Sequence, residues 1–260
     1  MGRYDGYLIV SDIDGTLTQG GDVISAENLD ALHRFMDGGG YFTLGTGRTP
    51  KFLPAFPIRP NAPLIAVNGT WVVSEAGETL QMLPVTDDPA DVLRYFLDSH
   101  PGIVDVYFYN RCGDKRFLKE EIFSDLSPLL DNPEPCLKYY FTCESEEFAL
   151  PLLRDAIARY GDRYEYNRSW PNGVEMHQKG SGKDAGLRFL RSFLPGIRTT
   201  IAVGNYENDV SMIREADIGC AVEDAAPSVL AAADRIVAPC AGHALSYIID
   251  TLIPSLTKQP

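Results

Sequence analysis

The stretch YLIVSDIDGT, residues 7–16, decides how the rest of the chain is read. Tyr7–Ser11 is a short apolar run of the kind that forms a strand buried on both faces, and it ends abruptly in two carboxylates and a glycine. Working outward, Ser25 is placed to cap a helix whose Leu29, Leu32 and Met36 fall on one face, and Gly38, Gly39 and Gly40 end it. Residues 41–45 read as a second buried strand and 64–67 as a third. Asn68-Gly69 is a hairpin turn leading into residues 71–74.

The same grammar returns near the C-terminus. Ser181 precedes a helix with Leu187, Leu190 and Leu194 at helical spacing. Strands at 199–203, Ile218–Val222 and Arg235–Val237 alternate with helices at 210–216 and 229–233, and a last helix carries Leu245, Ile248 and Leu252. This alternation implies an α/β fold with a doubly wound, mostly parallel sheet. The middle differs. VDVYFYN and KYYFTCE are aromatic-rich, strand-like runs, helical stretches occupy 91–99 and Glu146–Tyr160, and prolines and glycines punctuate both ends. Residues 84–178 therefore read as an inserted α+β domain with an antiparallel sheet, interrupting a core made of 1–83 and 179–260.

A length of 260 residues suits a main domain carrying a smaller insert, and 45% hydrophobic with 23% charged residues is ordinary for a soluble globular protein. The apolar runs are too short to span a membrane, and MGRYDGYLIV has no basic stretch ahead of a long apolar one, as a secretory signal would. Five widely spaced cysteines without a CxxC suit reduced thiols in a cytoplasm better than a disulfide framework. A net charge of −13 with no basic stripe argues against a nucleic-acid partner. A chain this acidic that binds an anion must gather positive charge locally, through a metal, a lysine or helix N-termini.

In open parallel sheets, ligands bind beyond the carboxyl ends of the strands. The residues there are Asp12, Asp14 and Thr16 after the first strand, Thr46, Gly47 and Arg48 after the second, and Asn68 after the third. Asn205, Asn208 and Asp209 follow the strand at 199–203, and Lys183 sits near a helix start. Taken singly, each has a plain structural reading: a surface turn, a hairpin, a solvated lysine, a helix cap. Their joint occurrence, in order and each at a strand end or helix start, points to a site. Oxygen donors without a convergent His or Cys favour Mg²⁺ over Zn²⁺. The metal and Lys183 would screen a carboxylate attacking a phosphate dianion. Asp12 and Asp14, two residues apart, would share a face of an extended chain, and a turn at Gly15 would let them flank one substrate. One then serves as nucleophile and the other as general acid, then base. Thr46, with the Gly47 amide, can hydrogen-bond a transferring phosphoryl oxygen.

These segments resemble the four motifs of the haloacid dehalogenase superfamily, specifically its Cof-type phosphatases with a class IIB cap: DIDGT at residues 12–16, LGTGR at 44–48, VEMHQKGSGKDAGL around Lys183, and VGNYENDVSMIREADIGCAV. The resemblance implies a magnesium-dependent phosphatase in which Asp12 is nucleophile and metal ligand. Asp14 would give a backbone carbonyl to Mg²⁺ and its side chain to proton transfer. Thr46 and Lys183 would hold phosphate with help from Asn208; Asn205 would be a direct metal ligand, with Asp209 nearby. It also implies that the inserted cap closes over the site and selects a small phosphorylated metabolite, a sugar phosphate or similar.

Asn205 stands where the family usually has aspartate, and Asp184 where it usually has glycine. A charge pair at about 4 Å and an effective dielectric of about 20 is worth roughly 4 kcal/mol before solvent compensation, so weaker metal binding is expected. Two further readings remain beside the phosphatase. One is a phosphomutase of the same superfamily; the other is a non-catalytic protein binding phosphorylated metabolites, motivated by Asn205. In the cap, Tyr109, Arg111, Arg116, Trp170 and His177 are each either substrate contacts or surface and packing residues. The sequence leaves monomer and homodimer equally open.

Overall fold

The computed structural model describes residues 2–256. The chain divides into two compact units. One holds the described residues up to Leu80 and from Lys183 onward, and the other is Gln81–Gly182.

The first unit is built on a five-stranded sheet in the order Arg235–Val237, Ile218–Val222, Thr199–Gly204, Tyr7–Ser11, Tyr41–Leu44. Every pairing in it is parallel. Tyr7–Ser11 has a neighbour on each edge, and Leu8, Ile9, Val10 and Ser11 are all fully buried, which is why that strand reads as a continuous apolar run. Leu8 and Val10 pack with Leu187 and Leu190 of helix Lys183–Phe193 and with Met212 of helix Val210–Glu215.

Helix Ala26–Asp37 starts as the sequence suggests, with Ser25 Oγ accepting from the Asn28 amide at 3.3 Å. Its buried stripe is Asn28, Ala31, Leu32 and Phe35, whereas Leu29 and Met36 are partly exposed. The expected face is therefore rotated. Phe35 takes the inner position because its ring packs 5.0 Å from Tyr4 and lies where a side chain on Gly40 would be, a Cβ there falling 2.4 Å from the ring. The helix expected at 229–233 instead runs Pro227–Leu230, with proline in its first turn.

Register brings three strand ends to one level. Ser11 lies beside both Val203 and Leu44. The ladder then continues one step: the Asp12 amide donates to Val203 O at 2.9 Å, Gly45 N to Ser11 O at 2.8 Å, and Thr46 N to Ile65 O at 2.9 Å. Leu64–Ala66 and Trp71–Val73 form the expected antiparallel hairpin. Its turn runs through Val67, Asn68 and Gly69, all at positive φ (48°, 58° and 98°). A β-branched residue rarely adopts that conformation. Here the Val67 amide donates to Arg48 O at 3.0 Å and the Asn68 amide to Thr46 O at 2.8 Å, tying the turn to the neighbouring loop.

The second unit is a five-stranded antiparallel sheet in the order Gly113–Leu118, Ile103–Asn110, Lys138–Cys143, Gly173–Gln178, Tyr164–Asn167. Helices Ala90–Ser99 and Glu146–Tyr160 supply Val92, Phe96, Leu97, Ala149 and Leu152 to its core, against Val106, Phe108, Phe141, Val174 and Met176 of the strands. Alternation leaves Tyr107, Tyr109, Lys138, Tyr140 and Glu175 on the other face.

Candidate active site

Lys183 is the first residue of its helix and fully buried. Its Nζ lies 2.7 Å from Asp12 Oδ1 and 2.6 Å from Asp209 Oδ1. Asp209 is also fully buried, and its Oδ2 accepts from the Asn205 amide at 2.9 Å and the Tyr206 amide at 3.1 Å. Both oxygens of Asp209 are thus engaged in shaping the turn after Thr199–Gly204. Gly204 is required there, since a Cβ would sit 2.4 Å from the Asp209 carboxyl carbon. Burial, and then the charge of Asp209, push Asp12 up to about 7 despite the charge and hydrogen bond of Lys183. Burial would lower the Lys183 pKa, but the charges and hydrogen bonds of Asp12 and Asp209 outweigh it and hold the ammonium protonated.

Asp14, two residues beyond Asp12, has a different partner. Arg48 Nε donates to its Oδ2 at 3.0 Å and Nη2 to its Oδ1 at 2.5 Å, while Nη1 donates to Asp22 Oδ1 at 2.6 Å. The chain turns at Gly15, φ +83°, whose amide donates to Thr18 O at 2.7 Å. Asn205 packs on this turn. Its Oδ1 accepts from Thr16 Oγ1 at 3.2 Å, and a Cβ on Gly15 would lie 2.3 Å from its Nδ2. Thr46 is buried, with its Oγ1 accepting from the Arg48 amide at 3.1 Å, and Gly47 lies between the two. Asn208 Nδ2 donates to Asn68 Oδ1 at 3.2 Å. The fold therefore gathers Asp12, Lys183 and Asp209 into one cluster, Asp14 with Arg48 into a second, and Asn205 against the turn between the two aspartates and the residues that follow.

The sequence model of the haloacid dehalogenase-like hydrolases matches residues 9–249. The chain belongs to that family. Its relatives include the 5-amino-6-(5-phospho-D-ribitylamino)uracil phosphatase YcsE of Bacillus subtilis, to which this haloacid dehalogenase-like hydrolase is 26% identical over 232 residues, 88% of either chain. The Escherichia coli phosphatase YbjI, named for the same compound, is 25% identical over 240 residues, 87% of this chain and 88% of its own. Among solved structures, a haloacid dehalogenase-like hydrolase from B. subtilis superposes with a TM-score of 0.78 at 19% identity, covering 94% of this chain and 99% of its own. The HAD subclass IIB sugar phosphatase BT4131 gives 0.73 at 22% identity, covering 94% and 98%. These last two share the fold.

Arg48 is the residue for which sequence reasoning offered no role. Its place in LGTGR put it at the right strand end, but its partner Asp14 is 34 positions away and becomes a neighbour only through the strand register. For a metal, the donor set is made of oxygen. Among the described residues no three His, Cys, Asp or Glu side chains converge as a metal cage. The donors that the family resemblance would offer a hard cation are the Asp12 carboxylate, the Asp14 carbonyl and the Asn205 amide oxygen, all of them oxygen. Asp12, Asp209 and Lys183 leave one negative charge unbalanced in a buried space, so the residues present fit a cation.

In the inserted unit, Arg111 pairs with Glu134 at 2.9 Å and Arg116 with Asp105. His177 is fully buried, its ring nitrogens 2.9 Å from Ser181 Oγ and 3.0 Å from Asn167 Nδ2. The ring of Tyr109 lies 4.4 Å from Lys138 Nζ, and Trp170 is 57% exposed.

Proposed function

We propose that this chain is a Mg²⁺-dependent phosphatase of small phosphorylated metabolites, of the sugar-phosphate class or similar, acting through an aspartyl-phosphate on Asp12. The observation that carries this reading is the buried Lys183 held between Asp12 and Asp209 at the end of the central strands. Relatives whose names specify a phospho-ribityl compound support the same substrate class.

An Asp12 carboxylate oxygen attacks phosphorus as the bond from phosphorus to the leaving oxygen breaks, and Asp14 gives that oxygen its proton. Water then attacks the phosphorus of the aspartyl-phosphate, its proton passes to Asp14, and the Asp12–phosphorus bond breaks to release inorganic phosphate. Lys183, the Thr46 hydroxyl and the Gly47 amide hold the phosphoryl oxygens, with Asn208 assisting. Mg²⁺, when bound by Asp12, the Asp14 carbonyl and Asn205, with Asp209 behind them, supplies the charge that screens attack on a dianion. The inserted unit is assigned the choice of substrate. A cytoplasmic setting suits the five free cysteines, four of them buried.

Phosphate release from sugar phosphates, nucleotides, FMN, pyridoxal phosphate and p-nitrophenyl phosphate, each with Mg²⁺ and with EDTA, tests the reading. EDTA-sensitive release from at least one is expected, and none from any of them overturns it.

A further inference from the structure

We propose that Arg48 is a positioning residue that sets the Asp14 carboxylate for proton transfer, and that Asp22 holds Arg48 to that task. The inference rests on the phosphatase reading above and concerns orientation.

Arg48 meets Asp14 fork on fork, Nε on Oδ2 at 3.0 Å and Nη2 on Oδ1 at 2.5 Å. Two parallel hydrogen bonds fix the plane as well as the place of a carboxylate, which a single ammonium cannot do. The guanidinium is itself held. Nη1 donates to Asp22 at 2.6 Å, and its central carbon lies 5.4 Å from the Phe52 ring centroid. The Arg48 backbone is fixed on both sides as well, its amide donating to Thr46 Oγ1 at 3.1 Å and its carbonyl accepting from Val67 N at 3.0 Å. The Asp14 side chain is 33% exposed, so without this clamp it would move among rotamers. Part-exposed ion pairs contribute little to stability, whereas a catalytic group displaced by about 1 Å can cost on the order of 10²-fold in rate.

Arg48 therefore acts where Asp14 moves a proton. In the first half-reaction the Asp12 oxygen bonds to phosphorus, the ester P–O bond breaks, and Asp14, entering this step as the neutral acid with one oxygen still accepting from Arg48, gives its proton to the leaving oxygen. An alkyl alkoxide needs that proton to depart; p-nitrophenolate leaves as a stable anion and does not. The readout is kcat/KM, which covers steps up to this phosphoryl transfer and excludes the later hydrolysis.

The experiment measures kcat/KM for p-nitrophenyl phosphate and for the best alkyl phosphate of the panel, in the wild type, Arg48→Ala, Arg48→Lys and Asp22→Ala, with thermal unfolding recorded for each. Arg48→Ala is expected to lower the alkyl value by about 100-fold and the aryl value by less than about tenfold. Arg48→Lys is expected not to restore the alkyl value, millimolar guanidinium to restore part of it in Arg48→Ala, and Asp22→Ala to show the same split at smaller size. Equal losses on the two esters, or none, overturn the role of Arg48 while the phosphatase reading stands. If Arg48→Ala does not fold, Asp22→Ala decides, and an absent split there overturns the proposal. A wild type inactive on both esters ends the phosphatase reading and this inference with it.

Discussion

Lys183 in the first unit and Lys138 in the second are both buried, and each has its ammonium at hydrogen-bond distance from a buried carboxylate. Lys138 and Glu175 bring one charge of each sign. Lys138 Nζ lies 2.6 Å from Glu175 Oε1, Ser169 donates to the other Glu175 oxygen at 2.9 Å, and the Tyr109 ring covers the ammonium. Burial would raise the Glu175 pKa, but the charge and hydrogen bond of Lys138 outweigh it and hold the carboxyl below its usual range. Around Lys183 the charges do not balance. Two carboxylates share one ammonium, and Asp12 is pushed up to about 7. A closed, neutral pair is what a structural ion bridge needs, because an unpaired buried charge is costly. An open, negative cluster at the end of a parallel sheet is what a cation and a phosphate can complete.

The largest effect that would break this contrast comes from Asp12→Asn. Turnover should fall by at least about 10⁴-fold, with the fold retained, since the variant removes the nucleophile and also one of two repelling carboxylates. Single-turnover phosphate release with a thermal melt checks both halves, and retained turnover would remove Asp12 from the chemistry. In the second unit the order reverses. Glu175→Gln should lower the unfolding free energy by about 3–5 kcal/mol by taking the Glu175 charge away from the buried Lys138 ammonium, and the pair Lys138→Met with Glu175→Leu should recover most of it. Chemical denaturation measures this, and a negligible loss in the single variant would show that the pair is not closed.

A metal sharpens the comparison in a pH-dependent way. The folded-state pKa of Asp12 is raised from 3.8 to about 7. Folding therefore takes up a proton, and this contribution to metal-free stability is full below about pH 4 and lost as pH rises through about 7. Mg²⁺ should accordingly raise the melting temperature more at pH 8 than at pH 6, EDTA should reverse the gain, and Asp12→Asn should show little of it. Equal gains at both pH values would contradict the placement of the cation at Asp12. The smallest effect is expected at Asn205. Asn205→Asp adds the missing charge and should tighten Mg²⁺ about tenfold, equivalent to about 1.4 kcal/mol, in a calorimetric titration. Unchanged affinity would take residue 205 out of the ligand set.

Much of this architecture was legible in the chain. The elements at Tyr7–Ser11, Glu146–Tyr160, Ile218–Val222 and Arg235–Val237 occupy the residues their patterns predict. Periodicity and turn chemistry are local, so they can be read locally. One misreading was a local competition settled at long range. Met36 yielded its inner position to Phe35 because Tyr4 and Gly40 left a berth for a large ring. The insert was expected at 84–178, and the compact unit runs Gln81–Gly182; such boundaries are set by contacts, which composition marks only coarsely.

By itself the sequence determined which residues could stand at the strand ends, because strands and turns of this kind place the polar residue after each apolar run at the same edge. Only the tertiary structure decided who meets whom there. Asp12 and Asp14 stand two positions apart, and the structure gives them different partners: Asp12 is held by a lysine 171 positions away and Asp14 by an arginine 34 positions away. Those partnerships depend on the register of Tyr7–Ser11 against two parallel neighbours. Register is fixed by burying both faces of that strand at once, which is a property of the packed sheet rather than of any one segment.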